Sequence, residues 1–253
     1  MMKVFFVGAG PGDPELLTIK AARLLTNCRI CIYAGSLVSP GVIALVSGNA
    51  EKYDSSSMPL EEIIGVISDA KKKNIDVVRL HSGDPSIYGA IREQMNELDK
   101  LDIAYEVIPG VSAFQAAAAA LRTELTAPEV AQTIILTRTS GRTPMPAEQE
   151  LDKLASCKAT LCIFLSGHKV GEVVETLTPF YGGDCPCAVV YHASWPDEKI
   201  IEGVLEDIAE KVRETDIAQT SLILVGRALG RDVPSSKLYD ASFTHKFRKG
   251  SDS

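Results

Sequence analysis

The sequence lacks an apolar run long enough to cross a membrane, since a spanning helix requires about 20 consecutive apolar residues. It also lacks a basic excess, because 26 lysines and arginines face 33 aspartates and glutamates, for a formal net charge of −7. A general nucleic-acid-binding protein needs a basic face, so this composition argues against one. The apolar stretch near the N-terminus is too short for a secretory signal, and we expect a cytoplasmic protein.

Cysteine is also scarce, and the six that are present do not indicate a disulfide framework or a zinc site. Cys28 and Cys31 form a C-x-x-C pair in a predicted strand, where positions three apart should point to opposite faces. Cys185 and Cys187 could chelate, but no second pair with zinc-type spacing follows them. We therefore expect most of the six to be small buried apolar residues and predict no metal site.

What is present is the composition of an ordinary globular protein, with 45% hydrophobic and 23% charged residues. Short β-rich runs alternate with helical stretches, which predicts βαβ units and a mainly parallel sheet. The predicted strands cover residues 3–7, 29–33, 77–80, 104–108, 133–137, 160–165, 188–192, 199–203 and 221–226. The predicted helices cover residues 14–25, 59–73, 112–122, 169–178 and 204–214. The first helix is expected to bury Leu16, Leu17, Ile19, Leu24 and Leu25.

A loop over residues 138–146, with two prolines and several hydroxyl residues, interrupts this alternation and predicts a domain boundary. Five predicted strands come before it. We therefore predict an N-terminal α/β domain over residues 1–140 and a C-terminal α/β domain over residues 141–253.

The first strand leads into the glycine-rich loop Gly8–Pro14, which opens a predicted helix. This loop is not a dinucleotide fingerprint, because the third glycine of that motif would fall at Asp13. The second strand also ends at residues 33–35 without the acidic residue that holds a ribose. Two interpretations stay open: a tight turn, or a backbone-lined floor for a flat or anionic ligand.

Two further loops follow strand ends, where ligands bind in open α/β sheets. The first, His81–Gly89, contains Gly83, which permits close backbone approach, and Asp84, which offers a short acceptor. The second ends at Ser112, with the small Ala113 after it leaving room for a bulky ligand. The alternative for both loops is a helix cap without a ligand.

Taken together, these segments resemble the tetrapyrrole (corrin/porphyrin) methylase family of S-adenosylmethionine-dependent enzymes. The motifs that carry the resemblance are VGAGPGDP at 7–14, GDP at 83–85 and VIPGVS at 107–112. Further stretches at 33–37, 137–144 and 191–198 are most similar to members that methylate carbon 11 of precorrin-4 or cobalt-precorrin-4 in cobalamin biosynthesis. The likeness extends through residue 240.

The resemblance implies the non-Rossmann (class III) methyltransferase fold: two α/β domains with the cofactor in the cleft between them, usually in a homodimer. It implies S-adenosyl-L-methionine as methyl donor, S-adenosyl-L-homocysteine as product and a tetrapyrrole substrate. Carried over motif by motif, the cofactor contacts fall at Pro11, Asp84, Ile87, Ser112, Ala113, Leu165, Ala193 and Ser221. The expected substrate-binding residues are Gly10, Gly12, Ser36, His81, Arg138 and Arg142.

The implied chemistry places few demands on side chains, because the sulfonium donor is already activated. Holding the methyl donor in line with the acceptor carbon can lower the reaction barrier by up to ~7–11 kcal/mol. We therefore assign no catalytic residue. A carboxylate about 4 Å from the sulfonium would favour the ground state by ~4 kcal/mol at an effective dielectric of ~20. We therefore expect Asp84 to contact another part of the cofactor or its own turn.

The substrate is a polycarboxylate approaching a negative protein, so basic groups are needed. Arg138 and Arg142 are the best candidates to hold carboxylates, the alternative being solvated loop arginines. His81 could accept a proton or ligate substrate cobalt, although a hydrogen-bonded loop histidine is the simpler expectation. The alternative functions are methylation at a different ring carbon and non-catalytic tetrapyrrole binding.

Overall fold

The structure is a computed structural model that describes residues 2–141, 143–215, 217, 220–236, 242–244 and 246–249. The chain forms two compact units. Unit 1 contains the residues up to Ala117 together with the later segment His192–Glu198. Unit 2 contains Ala118–Tyr191 and the described residues from Lys199 onward.

The strands are β1 (Lys3–Gly8), β2 (Ile30–Tyr33), β3 (Glu51–Asp54), β4 (Val77–His81), β5 (Ala104–Ile108), β6 (Ile134–Arg138), β7 (Thr160–Phe164), β8 (Pro186–Tyr191), β9 (Lys199–Val204) and β10 (Ser221–Val225). The α-helices are α1 (Ile19–Asn27), α2 (Pro40–Ala44), α3 (Leu60–Lys73), α4 (Ile91–Lys100), α5 (Ala113–Ala120), α6 (Leu151–Ala155), α7 (Val170–Tyr181) and α8 (Ile208–Arg213).

Unit 1 is built on a parallel sheet with the strand order β3-β2-β4-β1-β5. Side-chain alternation in β1 places Val4 and Phe6 in an apolar cluster on one face and Val7 in a second cluster on the other. Helices α3 and α4 contribute to the first cluster, and α1 and α2 to the second. Because all five strands are parallel, their carboxyl ends meet at one edge, which the predicted ligand loops follow.

Unit 2 is built on a mixed sheet with the strand order β6-β7-β10-β8-β9. Strands β6 and β7 are parallel, but β10 runs antiparallel to β7 and β8, and β8 runs antiparallel to β9. The prediction of a mainly parallel sheet is therefore confirmed for unit 1 and wrong for unit 2. The physical reason is clearest at β8 and β9, which only residues 192–198 connect, too few for a crossover helix.

The predicted helix over residues 14–25 is wrong in its first half. Residues 14–16 form a single 3-10 turn, and α1 begins only at Ile19. The break falls at Thr18, whose hydroxyl accepts the N–H of Ala21 at 3.1 Å and caps α1. Ile19, expected on the buried side, is 91% exposed.

The division between the two units also differs from the predicted boundary at residue 140. Strand β6, which we counted as the fifth strand of the first domain, pairs with β7 in the sheet of unit 2. The fifth place in the first sheet belongs to β3, whose sequence EKYD has no apolar alternation to reveal it. Within the described residues, no helix is long and apolar enough to span a membrane.

Candidate functional site

Strand-end loops of unit 1 pack backbone against backbone at the carboxyl edge of the parallel sheet. Gly10 and Gly83 exchange two backbone hydrogen bonds, of 3.2 and 2.9 Å. A Cβ atom at Gly8 or Gly110 would overlap the backbone of a neighbouring loop. Glycine is required at these two positions because the loops approach too closely for any side chain. The three motifs singled out in the sequence therefore form one continuous surface.

Asp84 holds two of these loops together. One carboxylate oxygen accepts the N–H of Gly110 at 2.9 Å, and the other accepts the N–H of Ser86 at 2.8 Å together with the Ser86 hydroxyl. Burial acts to raise the pKa of Asp84, but the hydrogen bonds from Ser86 and Gly110 outweigh it and lower the pKa. Asp84 thus bonds to its own turn, one of the two contacts we expected.

His81 ends β4 and is only 5% exposed. Burial, reinforced by the charge of Arg79, lowers the pKa of His81 to about 3, so the imidazole is neutral near pH 7. Its Nε2 atom has no hydrogen-bond partner among the described residues. The prediction of a hydrogen-bonded loop histidine is met only in part, because the imidazole bonds to the backbone of Gly89 while Nε2 is buried without a partner among the described residues.

Arg79 precedes His81 by two residues on the same face of β4 and is also buried. Its Nε donates to the side-chain oxygen of Gln94 at 3.0 Å. Burial lowers the pKa of Arg79 to about 10, which still leaves the guanidinium charged at neutral pH. A buried positive charge therefore lies on β4, two residues before His81 and on the same face of the strand.

Three further predicted cofactor residues lie in the loops at this edge or at the start of the helix that follows them. The N–H of Ile87 donates to the Asp84 carbonyl at 3.1 Å, which closes the turn. Ser112 is buried, and its carbonyl accepts the N–H of Gln115 at the start of α5. Ala113, the first residue of α5, is half-buried.

The later segment His192–Glu198 of unit 1 contacts the glycine-rich loop. The indole N–H of Trp195 donates to the Pro11 carbonyl at 2.7 Å, and its ring covers Gly12, where a Cβ atom would overlap it. Ala193, predicted as a cofactor contact, is buried within the same segment. Two predicted cofactor contacts that are far apart in sequence are thus brought into one unit.

Leu165 and Ser221 lie at one edge of the sheet of unit 2, as the antiparallel pairing of Ile163 with Ile223 requires. Leu165 is 67% exposed and has a left-handed backbone, with φ of 55°. Ser221 is buried, and in the part of the chain that the structure describes its hydroxyl has no hydrogen-bond partner. An exposed apolar side chain and an available hydroxyl therefore stand at the same edge.

Arg138 is the last residue of β6 and not a loop residue as predicted. Its guanidinium donates to three backbone carbonyls of the following loop, at 2.9 to 3.2 Å. The side chain is therefore engaged by its own loop, which it shapes. Arg142 and the side chain of Ser36 lie outside what the structure describes.

Comparisons with known proteins agree with this architecture. The family model for tetrapyrrole (corrin/porphyrin) methylases matches residues 3–209. A cobalt-precorrin-4 C(11)-methyltransferase of Methanocaldococcus jannaschii is 52% identical over 249 residues, which cover 98% of this chain and 96% of the relative. A precorrin-4 C(11)-methyltransferase of Pseudomonas aeruginosa is 46% identical over 252 residues, covering 98% and 100%. This chain belongs to the tetrapyrrole methylase family.

Solved structures assign the same fold to this tetrapyrrole methylase. A cobalt precorrin-4 methyltransferase superposes with a TM-score of 0.88 at 43% identity, covering 90% of this chain and 96% of that one. A uroporphyrin-III C-methyltransferase from Thermus thermophilus, complexed with S-adenosylhomocysteine, has a TM-score of 0.74 at 28% identity and covers 90% and 98%. The predicted class III methyltransferase fold is confirmed.

Sequence reasoning missed three residues that organise the site of this tetrapyrrole methylase. Gly110 entered the analysis of the sequence only as one position of the motif VIPGVS, yet its N–H donates to the carboxylate of Asp84. Arg79 lies in an apolar strand pattern that conceals a buried charge. Trp195 is the only tryptophan in the chain and stands in a motif we quoted, which was the available signal.

The positions of the cysteines show that the prediction for Cys28 and Cys31, that they point to opposite faces of one strand, is wrong. Cys28 follows α1 and precedes β2, so strand alternation does not apply to it, and it shares one apolar cluster with Cys31. Cys185 and Cys187 are buried in the cluster of unit 2, and Cys157 is exposed. Among the residues that the structure describes, no group of three or more His, Cys, Asp or Glu side chains could hold a metal ion.

Proposed function

We propose that this tetrapyrrole methylase transfers a methyl group from S-adenosyl-L-methionine to carbon 11 of precorrin-4 or cobalt-precorrin-4. The observation that carries the proposal is similarity over 98% of the chain to relatives named for this reaction, at 52% and 46% identity. Methylation at another ring carbon is the alternative within the family.

The cofactor residues that we propose are Pro11, Asp84, Ile87, Ser112, Ala113 and Ala193 in unit 1, and Leu165 and Ser221 in unit 2. S-adenosylmethionine, when bound, supplies a methyl group already activated by its sulfonium. The residues fit such a ligand, because the Ser221 hydroxyl is buried without a partner among the described residues. The backbone surface around Gly83 also allows a flat group to approach closely. The chain's own role is to bind and orient.

The charge states of Asp84 and His81 support the expectation that Asp84 binds a part of the cofactor other than the sulfonium. Asp84 already accepts three hydrogen bonds from its own turn and from Gly110, which spreads its negative charge. It can accept a further hydrogen bond from a neutral part of the cofactor without being placed beside the sulfonium. His81 stays neutral near pH 7 and can accept or donate a hydrogen bond at Nε2.

For the substrate, we propose that Gly10, Gly12, Ser36, His81, Arg138 and Arg142 line or support the tetrapyrrole site. Arg142 is the better candidate for direct carboxylate binding, because the guanidinium of Arg138 already donates to three carbonyls. Arg142→Ala should weaken tetrapyrrole binding and leave S-adenosylhomocysteine affinity unchanged. Arg138→Ala should also perturb the loop that follows β6.

The decisive experiment supplies donor labelled with ¹³C in its methyl group to the full chain, with precorrin-4 and cobalt-precorrin-4 in parallel reactions. NMR of the product should place the label at carbon 11. A label at another carbon would favour the alternative methylase, and tetrapyrrole binding without turnover would indicate a binding module. The relative rates with the two substrates show whether cobalt belongs to the natural one.

The family resemblance also leads us to propose a cytoplasmic homodimer. Light scattering of the purified chain tests the dimer, since a monomeric mass at micromolar concentration would contradict it.

A further inference from the structure

Trp195 is half-buried against the glycine-rich loop, although it lies 184 positions after its partner Pro11 in the sequence. The indole N–H donates to the Pro11 carbonyl at 2.7 Å. On the other side of Gly12, the N–H of Asp13 donates to the hydroxyl of Ser194 at 3.0 Å. Two adjacent residues of the later segment therefore hold the loop on both sides of this glycine.

Gly12 lies directly under the indole. A Cβ atom there would overlap the Trp195 ring, and the backbone at Gly12 is not in the left-handed region that requires glycine. Glycine is therefore needed at position 12 because the indole ring of Trp195 occupies the space that a side chain would fill. This differs from Gly8 and Gly110, where the neighbouring backbone excludes a side chain.

The segment that presents Trp195 is held by its own contacts. The N–H of Trp195 donates to the His192 carbonyl at 2.8 Å, and the two rings stack with centroids 4.3 Å apart. The N–H of Ser194 donates to the carboxylate of Glu198 at 2.6 Å, and His192 Nδ1 lies 3.0 Å from the carboxylate of Asp197. A segment fixed in this way can act as a rigid support for the loop.

We propose that Trp195 is a positioning residue for methyl transfer: it fixes the Pro11 carbonyl by a hydrogen bond and immobilises the loop by filling the space over Gly12. This inference rests on the proposed function, in which Pro11 contacts the cofactor. If the glycine-rich loop were free to move, the cofactor would have to order it on binding, and the affinity for the cofactor would be lower.

Calorimetry with S-adenosylhomocysteine on the full chain tests this role. Trp195→Phe keeps a ring but loses the N–H, and should weaken binding about 3- to 10-fold. Trp195→Ala also loses the packing and should weaken binding by more than about 10-fold. The matched control is Pro196→Ala, an exposed position in the same segment, which should bind as the wild type does. Urea unfolding of each variant verifies that the fold is retained.

A double-mutant cycle separates positioning from general damage. Gly12→Ala should weaken binding by about 10-fold or more when the indole is present, because the new methyl meets the ring. In the Trp195→Ala background the same change should cost about twofold or less. Equal harm in both backgrounds, or full affinity in folded Trp195→Ala, overturns this proposal alone. A wild-type chain that does not bind S-adenosylhomocysteine overturns the proposed function as well.

Discussion

Buried His81 makes the stability of the fold depend on pH. The pKa of His81 is about 3 in the folded chain, against an ordinary value of 6.5. Between these two pH values the histidine is protonated in the unfolded chain and neutral in the folded chain. The stabilising contribution is complete above pH 6.5 and is lost as the pH falls toward 3. We expect the free energy of unfolding to decrease by up to about 1.4 kcal/mol per pH unit from this group.

Urea unfolding between pH 7 and pH 4 measures this dependence. His81→Gln should flatten it, because glutamine fills a similar space without titrating. His168→Gln changes an exposed histidine and should leave the wild-type slope intact. Parallel slopes for the wild type and His81→Gln would contradict the assignment.

The hydrogen bonds of Asp84 predict a second effect of a single residue on stability. Asp84→Ala leaves the Gly110 N–H without its acceptor and should lower the free energy of unfolding by about 1–3 kcal/mol. Asp84→Asn keeps an oxygen acceptor and should lose less. Because hydrogen bonds lower the pKa of Asp84, its contribution is present above the ordinary value and is lost as the pH falls below it. An Asn variant less stable than the Ala variant would argue against this role.

At the scale of the element, the first turn of α5 is predicted to lie against the cofactor. Ala113→Leu should weaken S-adenosylhomocysteine binding about tenfold, or about 1.4 kcal/mol, by crowding that turn. Leucine is a good helix former, so the helix itself should be unaffected. Ala119→Leu, at an exposed position of the same helix, is the control and should bind normally. Unchanged affinity in a folded Ala113→Leu variant would place the cofactor elsewhere.

The same scale shows what the sequence could and could not reveal. Short β-rich runs predicted β1, β4 and β5 almost to the residue. Strands β1 and β4 lie inside the sheet and are largely buried, whereas β5 lies at its edge and buries only Ile108. Pro14 was taken as the start of a long helix, yet Thr18 provides a better cap four residues later. Strand β3 was missed because an edge strand with polar side chains carries no alternating signal.

At the scale of the whole molecule, the order of the motifs was enough to predict the family and the fold. The sequence pattern also predicted where most strands of each sheet end, to within about one residue. The division of the chain was harder to predict, since β6 pairs forward along the chain into unit 2. The return of His192–Glu198 to unit 1 was not predictable from local pattern, because its contacts join residues about 180 positions apart. Such contacts depend on the completed fold, and a single sequence contains no local signal for them.

The position of the only tryptophan has a practical consequence. All indole emission of this chain arises from a ring that lies on Gly12 and is bonded to Pro11. Fluorescence therefore reports on the glycine-rich loop without any second indole in the background. Rapid mixing with S-adenosylhomocysteine should reveal, as a change in emission, whether the loop settles during ligand capture or is already set before it.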